Sequence, residues 1–185
     1  MAAFCVADEK RVMSLLRALF SGLLLSLLLS GCSLSPSVPP VSIGSQVNFS
    51  QLRDQFGHPF NHLDAMTTVL YVDTMKAKDL VRAALAQLDL NCMKTGQLVY
   101  LADISGMPAL ISKLIAVPRM RQYSYPIWLD YDGLATAGLP VKDDVVTVLH
   151  VTNGTIGAVE FVPDTQGLVS RLEPLCGPAK PRGGG

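Results

Sequence analysis

The stretch TTVLYVDTMKAKDLVRAALAQLDL, residues 67–90, decides the fold class of this chain. Residues 67–72 are β-branched, aromatic and aliphatic, and this composition predicts a buried strand. Residues 76–90 contain no Gly or Pro and repeat apolar side chains at helical spacing, which predicts an amphipathic helix. A strand that leads into a helix in this way is typical of an α/β domain.

The next part of the chain repeats this strand–helix alternation. Residues 97–103 (QLVYLAD) predict a second buried strand. Residues 105–108 (SGMP) begin a second helix, with Pro108 suitably placed near its first turn, and Pro118 is expected to end or kink that helix. The apolar stripe that we expect to face the core consists of Leu110, Ile111, Leu114 and Ile115.

The second half of the domain predicts more strands than helices. Asn153-Gly154 separates two apolar runs and is the strongest local signal for a β-hairpin. The full predicted order is β-α-β-α-β-β-β-α, which implies a mixed sheet flanked by helices on both faces. The remaining predicted elements are a short strand within 49–63, strands at 125–129, 145–151 and 155–162, and a helix at 165–175.

The N-terminal residues have the pattern of an export signal. A positive segment precedes the apolar run 18–29, which is too short for a comfortable transmembrane helix. The run ends in Leu29-Ser30-Gly31-Cys32, which resembles the lipobox of bacterial lipoproteins. The resemblance implies a signal peptide over 1–31 that is cleaved before a lipidated Cys32. An uncleaved N-terminal anchor with an incidental cysteine remains an alternative, and Met13 is an alternative start.

The lipobox resemblance also implies a location and a domain layout. Ser33, rather than Asp, follows the cysteine, and this favours the outer membrane, facing the periplasm. Residues 32–46 are rich in Ser and Pro and predict a lipidated tether. The folded domain is expected over 47–176 and a disordered tail over 177–185.

Composition excludes several classes of partner. The chain has 15 Lys and Arg against 15 Asp and Glu, with no block of basic residues, so no nucleic-acid partner is predicted. No glycine-rich phosphate loop is present, and no cofactor is predicted. The three histidines, His58, His62 and His150, do not form a metal set. The expected partners are the membrane, through the lipid anchor, and an unidentified protein of the envelope.

Four short stretches in order resemble the thioredoxin fold, in its peroxiredoxin and thiol-reductase branch. They are DQFG at 54–57, VLYV at 69–72, YPIWLDYDG at 125–133 and the segment 146–156 that ends beyond Asn-Gly. The resemblance extends from about residue 49 to 175. It implies a thioredoxin-like mixed sheet whose active site lies where the first core strand meets the following helix.

The resemblance places the family's reactive thiol within 73–78 (DTMKAK), which contains no cysteine. The family's cis-proline corresponds to about Val145, and Pro140 is too early. A thiol exchange needs an attacking sulfur. We therefore expect a redox-inactive domain used for binding or scaffolding. The candidate partner surface is the loop 138–144 together with Asp73, Thr74, Lys76 and Lys78.

Cys92 and Cys176 are the cysteines of the predicted domain. In thioredoxin-like folds, the helices that precede them lie on one face of the sheet, so the resemblance allows a structural disulfide. Two alternatives stay open: two separate thiols, or a redox pair in a thiol-disulfide oxidoreductase or peroxidase-like enzyme. A small-molecule carrier that uses an apolar cleft is a further alternative.

Two groups of side chains have both a functional and an ordinary interpretation. Lys76 and Lys78 beside a helix N-terminus could hold an anion or could simply be solvated. A cluster of aromatic residues near Arg119 and Arg121 would suit a protein interface. Burial in the core is the ordinary interpretation, with Tyr125, Ile127 and Leu129 facing one way and Trp128 the other. The other members of this cluster are Tyr123 and Tyr131.

Overall fold

The computed structural model describes residues 40–179. The expected signal peptide, the expected lipidation site Cys32 and residues 180–185 lie outside the described residues. The strands are β1 (Arg53–Asp54), β2 (Thr68–Val72), β3 (Leu98–Asp103), β4 (Trp128–Asp130), β5 (Val146–Thr152) and β6 (Thr155–Val162). The helices are α1 (Met75–Leu85), α2 (Asn91–Lys94), α3 (Ala109–Ile111), α4 (Val117–Met120) and α5 (Thr165–Cys176), with a π-helical turn at Ser112–Ala116.

One mixed sheet of six strands, in the order β1-β4-β3-β2-β5-β6, forms the centre of the domain. β2, β3 and β4 are parallel, and the other neighbouring strands pair antiparallel. The three parallel strands end at one edge of the sheet, called the carboxyl edge below, and start at the opposite, amino edge. The predicted mixed α/β architecture is confirmed.

Two hydrophobic clusters cover the two faces of the sheet. The helix-side core contains Leu70 and Val148 from the sheet, packed against Val81 of α1 and Leu168 of α5. The second core contains Val69, Leu149 and Trp128, but no helical residue belongs to it. The N-terminal segment and the loop after β4 cover this face instead. Loops and turns therefore cover the second face, where we expected helices.

The hairpin of β5 and β6 forms as the sequence predicts. Asn153 and Gly154 both have positive φ, 49° and 75°, which a tight two-residue turn of this kind requires. Val146 and Val148 enter the helix-side core, and Leu149 and Val151 enter the second core. The near-continuous apolar sequence of β5 is thus explained by burial on both faces.

Helix α1 ends at Leu85, before the predicted end at residue 90. The reason is non-local, because residues 87–89 pair with the C-terminal residues 177–179 instead of extending the helix. The N–H of Asp89 donates to Gly177 O at 3.0 Å, and the N–H of Ala179 donates to Gln87 O at 2.9 Å. Residues 177–179, which we expected to belong to the tail, are therefore part of the folded domain.

The N-terminal boundary of the domain also differs from the prediction. The N–H of Val41 donates to Gly138 O at 2.7 Å, and the N–H of Gly44 donates to Ile156 O at 2.7 Å. Val41 and Val47 pack against the second core. The last residues of the expected tether, 32–46, are therefore part of the folded domain, because they cover apolar side chains of the sheet.

The helical segment from α3 through the π turn to α4 is called the crossover helix below, since it joins β3 to β4. It begins after Pro108 as expected, but Pro118 does not end it. The N–H of Val117 donates to Ser112 O, five residues back. This wider turn leaves room for the proline ring, which would clash with a carbonyl in a regular α-helical turn.

The predicted core stripe of the crossover helix is wrong. The side of this helix that faces the core contributes Ser112, Val117 and Met120 instead. All four predicted stripe residues are exposed, namely Leu110, Ile111, Leu114 and Ile115. Among residues 40–179, no helix is both long enough and apolar enough to span a membrane.

Candidate functional site

The head of α1 lies at the carboxyl edge, directly after β2. Thr74 is its N-cap, with extended backbone, and its hydroxyl oxygen accepts a hydrogen bond from the N–H of Ala77 at 3.2 Å. A threonine in this role satisfies one of the free N–H groups of the first turn. The next side chain, Met75, is 70% exposed. The hydroxyl of Thr74 and the thioether of Met75 therefore stand at the helix head, where the sequence resemblance led us to expect the functional site.

The loop 138–144 approaches this helix head. Lys76 Nζ lies 3.3 Å from Asp144 Oδ2, in an exposed ion pair. Asp144 has a positive φ of 60°, an uncommon conformation that directs the chain through a tight turn. Asp73 and Lys76 are exposed, whereas Lys78 is half-buried with its Nζ 3.8 Å from Met75 Sδ. The candidate partner residues are thus brought together on one surface, called the rim below. The rim consists of the head of α1, residues 73–78, and the loop 138–144.

A buried polar cluster lies at the same edge of the sheet, after β4. Asp130 is buried at the end of β4, and its Oδ2 accepts hydrogen bonds from the N–H of Thr136 at 2.8 Å and the hydroxyl of Thr136 at 2.9 Å. Burial, with the nearby charge of Asp103, raises the pKa of Tyr71 to about 12. Tyr71 is therefore protonated at neutral pH. No motif in the sequence indicated this cluster, because its members lie on separate elements.

Cys92 and Cys176 form a disulfide, with an S–S distance of 2.07 Å and a Cα–Cα distance of 5.0 Å. The alternative of two separate thiols is therefore wrong. Cys92 is only 3% exposed. Its helix α2 precedes the start of β3, so the bridge lies toward the amino edge of the sheet, opposite to the head of α1.

Two of the stretches that suggested the thioredoxin resemblance contact each other. Gln55 is buried, and its side-chain amide donates to Tyr125 O at 2.8 Å while its Oε1 accepts from the N–H of Ile127 at 2.8 Å. Asp54 and Trp128 pair between β1 and β4. These residues of DQFG and YPIWLDYDG therefore join the outer strand β1 to its neighbour β4.

The aromatic cluster divides between core and surface. Tyr125, Ile127 and Leu129 enter the helix-side core, and Trp128 enters the second core, as the alternation predicts. Tyr123 and Tyr131 stay partly exposed. Tyr123 stacks on Tyr125, with ring centroids 5.2 Å apart. Most of this cluster therefore serves packing.

Each histidine has a local partner. His58 Nδ1 lies 2.8 Å from Asp54 Oδ2, and His150 Nε2 lies 2.7 Å from Glu160 Oε1. His62 contacts the ring of Trp128 edge-on, with centroids 5.5 Å apart. Within residues 40–179, no three His, Cys, Asp or Glu side chains are grouped as metal ligands.

A cleft of about 810 Å³ lies at the C-terminal end of α1, far from the rim. Its walls are mixed, because Leu85, Leu88 and Leu90 line it together with the charged side chains Arg82 and Asp89. The carrier hypothesis expects an apolar cleft, and this cleft is only partly apolar.

Comparisons with known proteins identify the fold. No protein-family model matches the chain, and no curated protein matches it. A solution structure from Bacteroides thetaiotaomicron, provisionally assigned as a protein disulfide isomerase, is similar at a TM-score of 0.50 and 14% identity, covering 73% of this chain and 90% of that one. A peroxiredoxin-like protein from Aquifex aeolicus aligns at a TM-score of 0.45 and 11% identity, covering 75% and 90%. The domain has a thioredoxin-like fold.

Proposed function

We propose that this protein is a lipid-anchored lipoprotein of the bacterial envelope whose thioredoxin-like domain binds a protein partner and performs no thiol chemistry. The anchor is Cys32, and the location is the outer membrane, facing the periplasm. The partner surface is the rim formed by the head of α1, from Asp73 to Lys78, and the loop 138–144.

One observation carries the redox-inactive part of the proposal. Reactive cysteines of this fold sit at the head of a helix, where the dipole and free N–H groups stabilise the thiolate. In this chain Thr74 occupies that helix head, and its hydroxyl oxygen already accepts the N–H of Ala77. A hydroxyl that caps a helix has an ordinary alcohol's high pKa and cannot replace a thiolate in disulfide exchange.

The disulfide supports the same proposal. The two cysteine sulfurs of the described residues are joined to each other, and Cys92 is buried in the helix-side core. An attacking thiolate needs access to a disulfide sulfur. Cys92 is buried and Cys176 is half-buried, so access to the bridge is restricted. A bridge of this kind supports a structural role, whereas redox catalysis would need a reducible, accessible pair.

The redox part is tested by thiol counting and turnover on the mature lipidated protein. We expect no free thiol before reduction, slow reduction by glutathione, and no disulfide reductase or peroxidase activity. A Thr74→Cys variant should in contrast display one fast-reacting thiol, because the helix head lowers its pKa. Turnover by the unmodified protein that is lost in Cys92→Ala/Cys176→Ala would instead establish an enzyme.

The binding part is tested by photocrosslinking from the rim. A photoreactive amino acid at Met75, in the lipidated protein in native envelope membranes, should give one discrete protein adduct. The matched control carries the same group at Ser170, which is exposed on α5. Lys76→Glu should reduce the adduct from Met75, because it converts a basic rim residue into an acidic one. Equal adducts from both positions would contradict a specific rim interface.

A further inference from the structure

The crossover helix presents an unpartnered apolar surface. Leu110 is 72% exposed and Leu114 is 69% exposed, and they lie one helical turn apart. Ile111 and Ile115 are each 44% exposed and repeat the same spacing. Large aliphatic side chains grouped in this way on a surface mark an interaction site rather than ordinary surface variation.

The charged residues of the crossover helix and the segment that follows it have one sign. Residues 104–129 contain Lys113, Arg119 and Arg121 and no Asp or Glu. All three basic residues are exposed, and among the described residues none of them forms an ion pair. Arg121 does donate through Nε to the backbone oxygen of Gln55 at 2.9 Å. The helix therefore combines an exposed apolar side with uncompensated positive charge.

The acidic residues that bracket this segment form no ion pair with its basic side chains. Asp103 and Asp130 end β3 and β4, and their carboxylates accept hydrogen bonds from the backbone N–H groups of Ser105 and Gly133. Asp130 is also buried. The positive charge of the helix is consequently available to an external anion.

The chain enters the domain at the edge of the sheet where this helix begins, with the entering segment on the second core and the helix on the helix-side core. Val41 is bonded to Gly138, in the loop that joins β4 to β5 at the carboxyl edge. The crossover helix begins at the same edge, after β3. Only residues 33–40 separate Cys32 from Val41, so even a fully extended connection spans at most roughly 30 Å. A lipid on Cys32 would keep this edge of the domain close to the membrane.

We infer that the crossover helix docks on the surface of an anionic phospholipid membrane, with Leu110, Ile111, Leu114 and Ile115 inserted among the lipids and Lys113 and Arg119 against the headgroups. Interfacial helices combine these two features, and basic residues near an anionic surface strengthen their binding. The inference rests on the proposed anchor at Cys32, which brings the helix close to the membrane.

The test uses the lipidated mature protein with the environment-sensitive fluorophore NBD on Leu114→Cys. The vesicles are phosphatidylethanolamine with one third phosphatidylglycerol, and the matched control carries NBD on Ser170→Cys. The bridged Cys92 and Cys176 do not compete for the label. We expect a blue-shifted emission, quenched by spin-labelled lipid, at position 114 and an aqueous emission at position 170.

Charge reversal tests the electrostatic contribution. The double substitution Lys113→Glu/Arg119→Glu in the Leu114→Cys protein should reduce the docked fraction about tenfold or more, since each basic residue near an anionic surface contributes substantially to binding. Both side chains are exposed, so folding is unaffected. A docked fraction that does not change would contradict a role for anionic lipid.

Two results would overturn the inference. The label at position 114 could remain aqueous while the protein floats with the vesicles, in which case the anchor stands and the docking does not. Alternatively, the label at position 114 could show blue-shifted emission in native envelope membranes and aqueous emission in protein-free vesicles. That result would assign the helix to a protein partner. Flotation reports the anchor separately, so failure of the anchor and failure of docking are distinguished.

Discussion

At the scale of single residues, the buried carboxylate of Asp54 binds the turn that follows the outer strand β1. Its Oδ1 accepts the N–H groups of Phe56 at 2.9 Å and His58 at 2.8 Å, and its Oδ2 faces His58 Nδ1 at 2.8 Å. Burial alone would raise the pKa of Asp54, but the hydrogen bonds from His58 and Phe56 outweigh it and lower the pKa below 3.8. The fold therefore favours the ionised form.

The lowered pKa of Asp54 predicts how its contribution to stability depends on pH. The contribution should be complete above about pH 5 and be lost as the pH falls through the folded-state pKa, below 3.8. At pH 7, Asp54→Asn should reduce the free energy of unfolding by about 1–2 kcal/mol. Urea unfolding at pH 7 and pH 3 should show this deficit shrinking at pH 3.

A matched control for this prediction is Asp64→Asn, at an exposed carboxylate with no ion pair among the described residues. It should leave the free energy of unfolding nearly unchanged at both pH values. A deficit of Asp54→Asn that is equal at pH 7 and pH 3 would show that charge on this carboxylate does not stabilise the fold.

At the scale of elements, the disulfide joins two helices that are far apart in the sequence. It connects α2 to the end of α5 across a sequence separation of 84 residues. Backbone pairing of residues 87–89 with 177–179 lies beside it. Bridge and pairing together fasten the last helix to the end of α1, so this corner of the helical layer should open as one unit.

The disulfide predicts a large stability difference. Closing a loop of this length restricts the unfolded chain by at most roughly 4–5 kcal/mol. Cys92→Ala/Cys176→Ala should lower the free energy of unfolding by up to that amount, measured in urea. A reductant should destabilise the unmodified protein similarly and leave the double variant unchanged. Unmodified protein that is insensitive to complete reduction would show that the bridge adds no stability.

Local signals predicted the elements better than they predicted the packing. Asn153-Gly154 alone dictates a tight turn, so the hairpin could be read from the sequence. The stripe of Leu110 and Leu114 has helical periodicity, but periodicity does not tell which side of a helix meets the core. The end of α1 at Leu85 depends on residues 177–179, a distant pairing that no local pattern contains.

The candidate site was only partly readable from the sequence. The absence of cysteine from 73–78 is a direct reading, and it directed attention to the head of α1. The pairing of Lys76 with Asp144 was not evident, because it depends on how the loop 138–144 folds back. The Tyr71, Asp130 and Thr136 cluster joins side chains from separate elements, and their contact is fixed only by the strand order of the sheet.

At the scale of the whole molecule, the anchor predicts how the protein fractionates. Cys32→Ala should remove the lipidation site and release the protein from envelope membranes, as measured by flotation and immunoblotting. Cys5→Ala is the matched control: it changes a cysteine outside the lipobox and should leave the protein in the membrane fraction. A Cys32→Ala protein that still floats, with its leader intact, would contradict the lipid anchor.

The two ends of the described chain lie toward opposite edges of the sheet. Val41 is bonded to the loop at the carboxyl edge, whereas Ala179 is bonded to Gln87 toward the amino edge. With the proposed lipid on Cys32, upstream of Val41, a fluorescent reporter fused downstream of Ala179 would emerge on the far side of the domain, clear of the bilayer. Such a fusion would allow live-cell imaging of the intact protein without placing the reporter between the domain and the membrane.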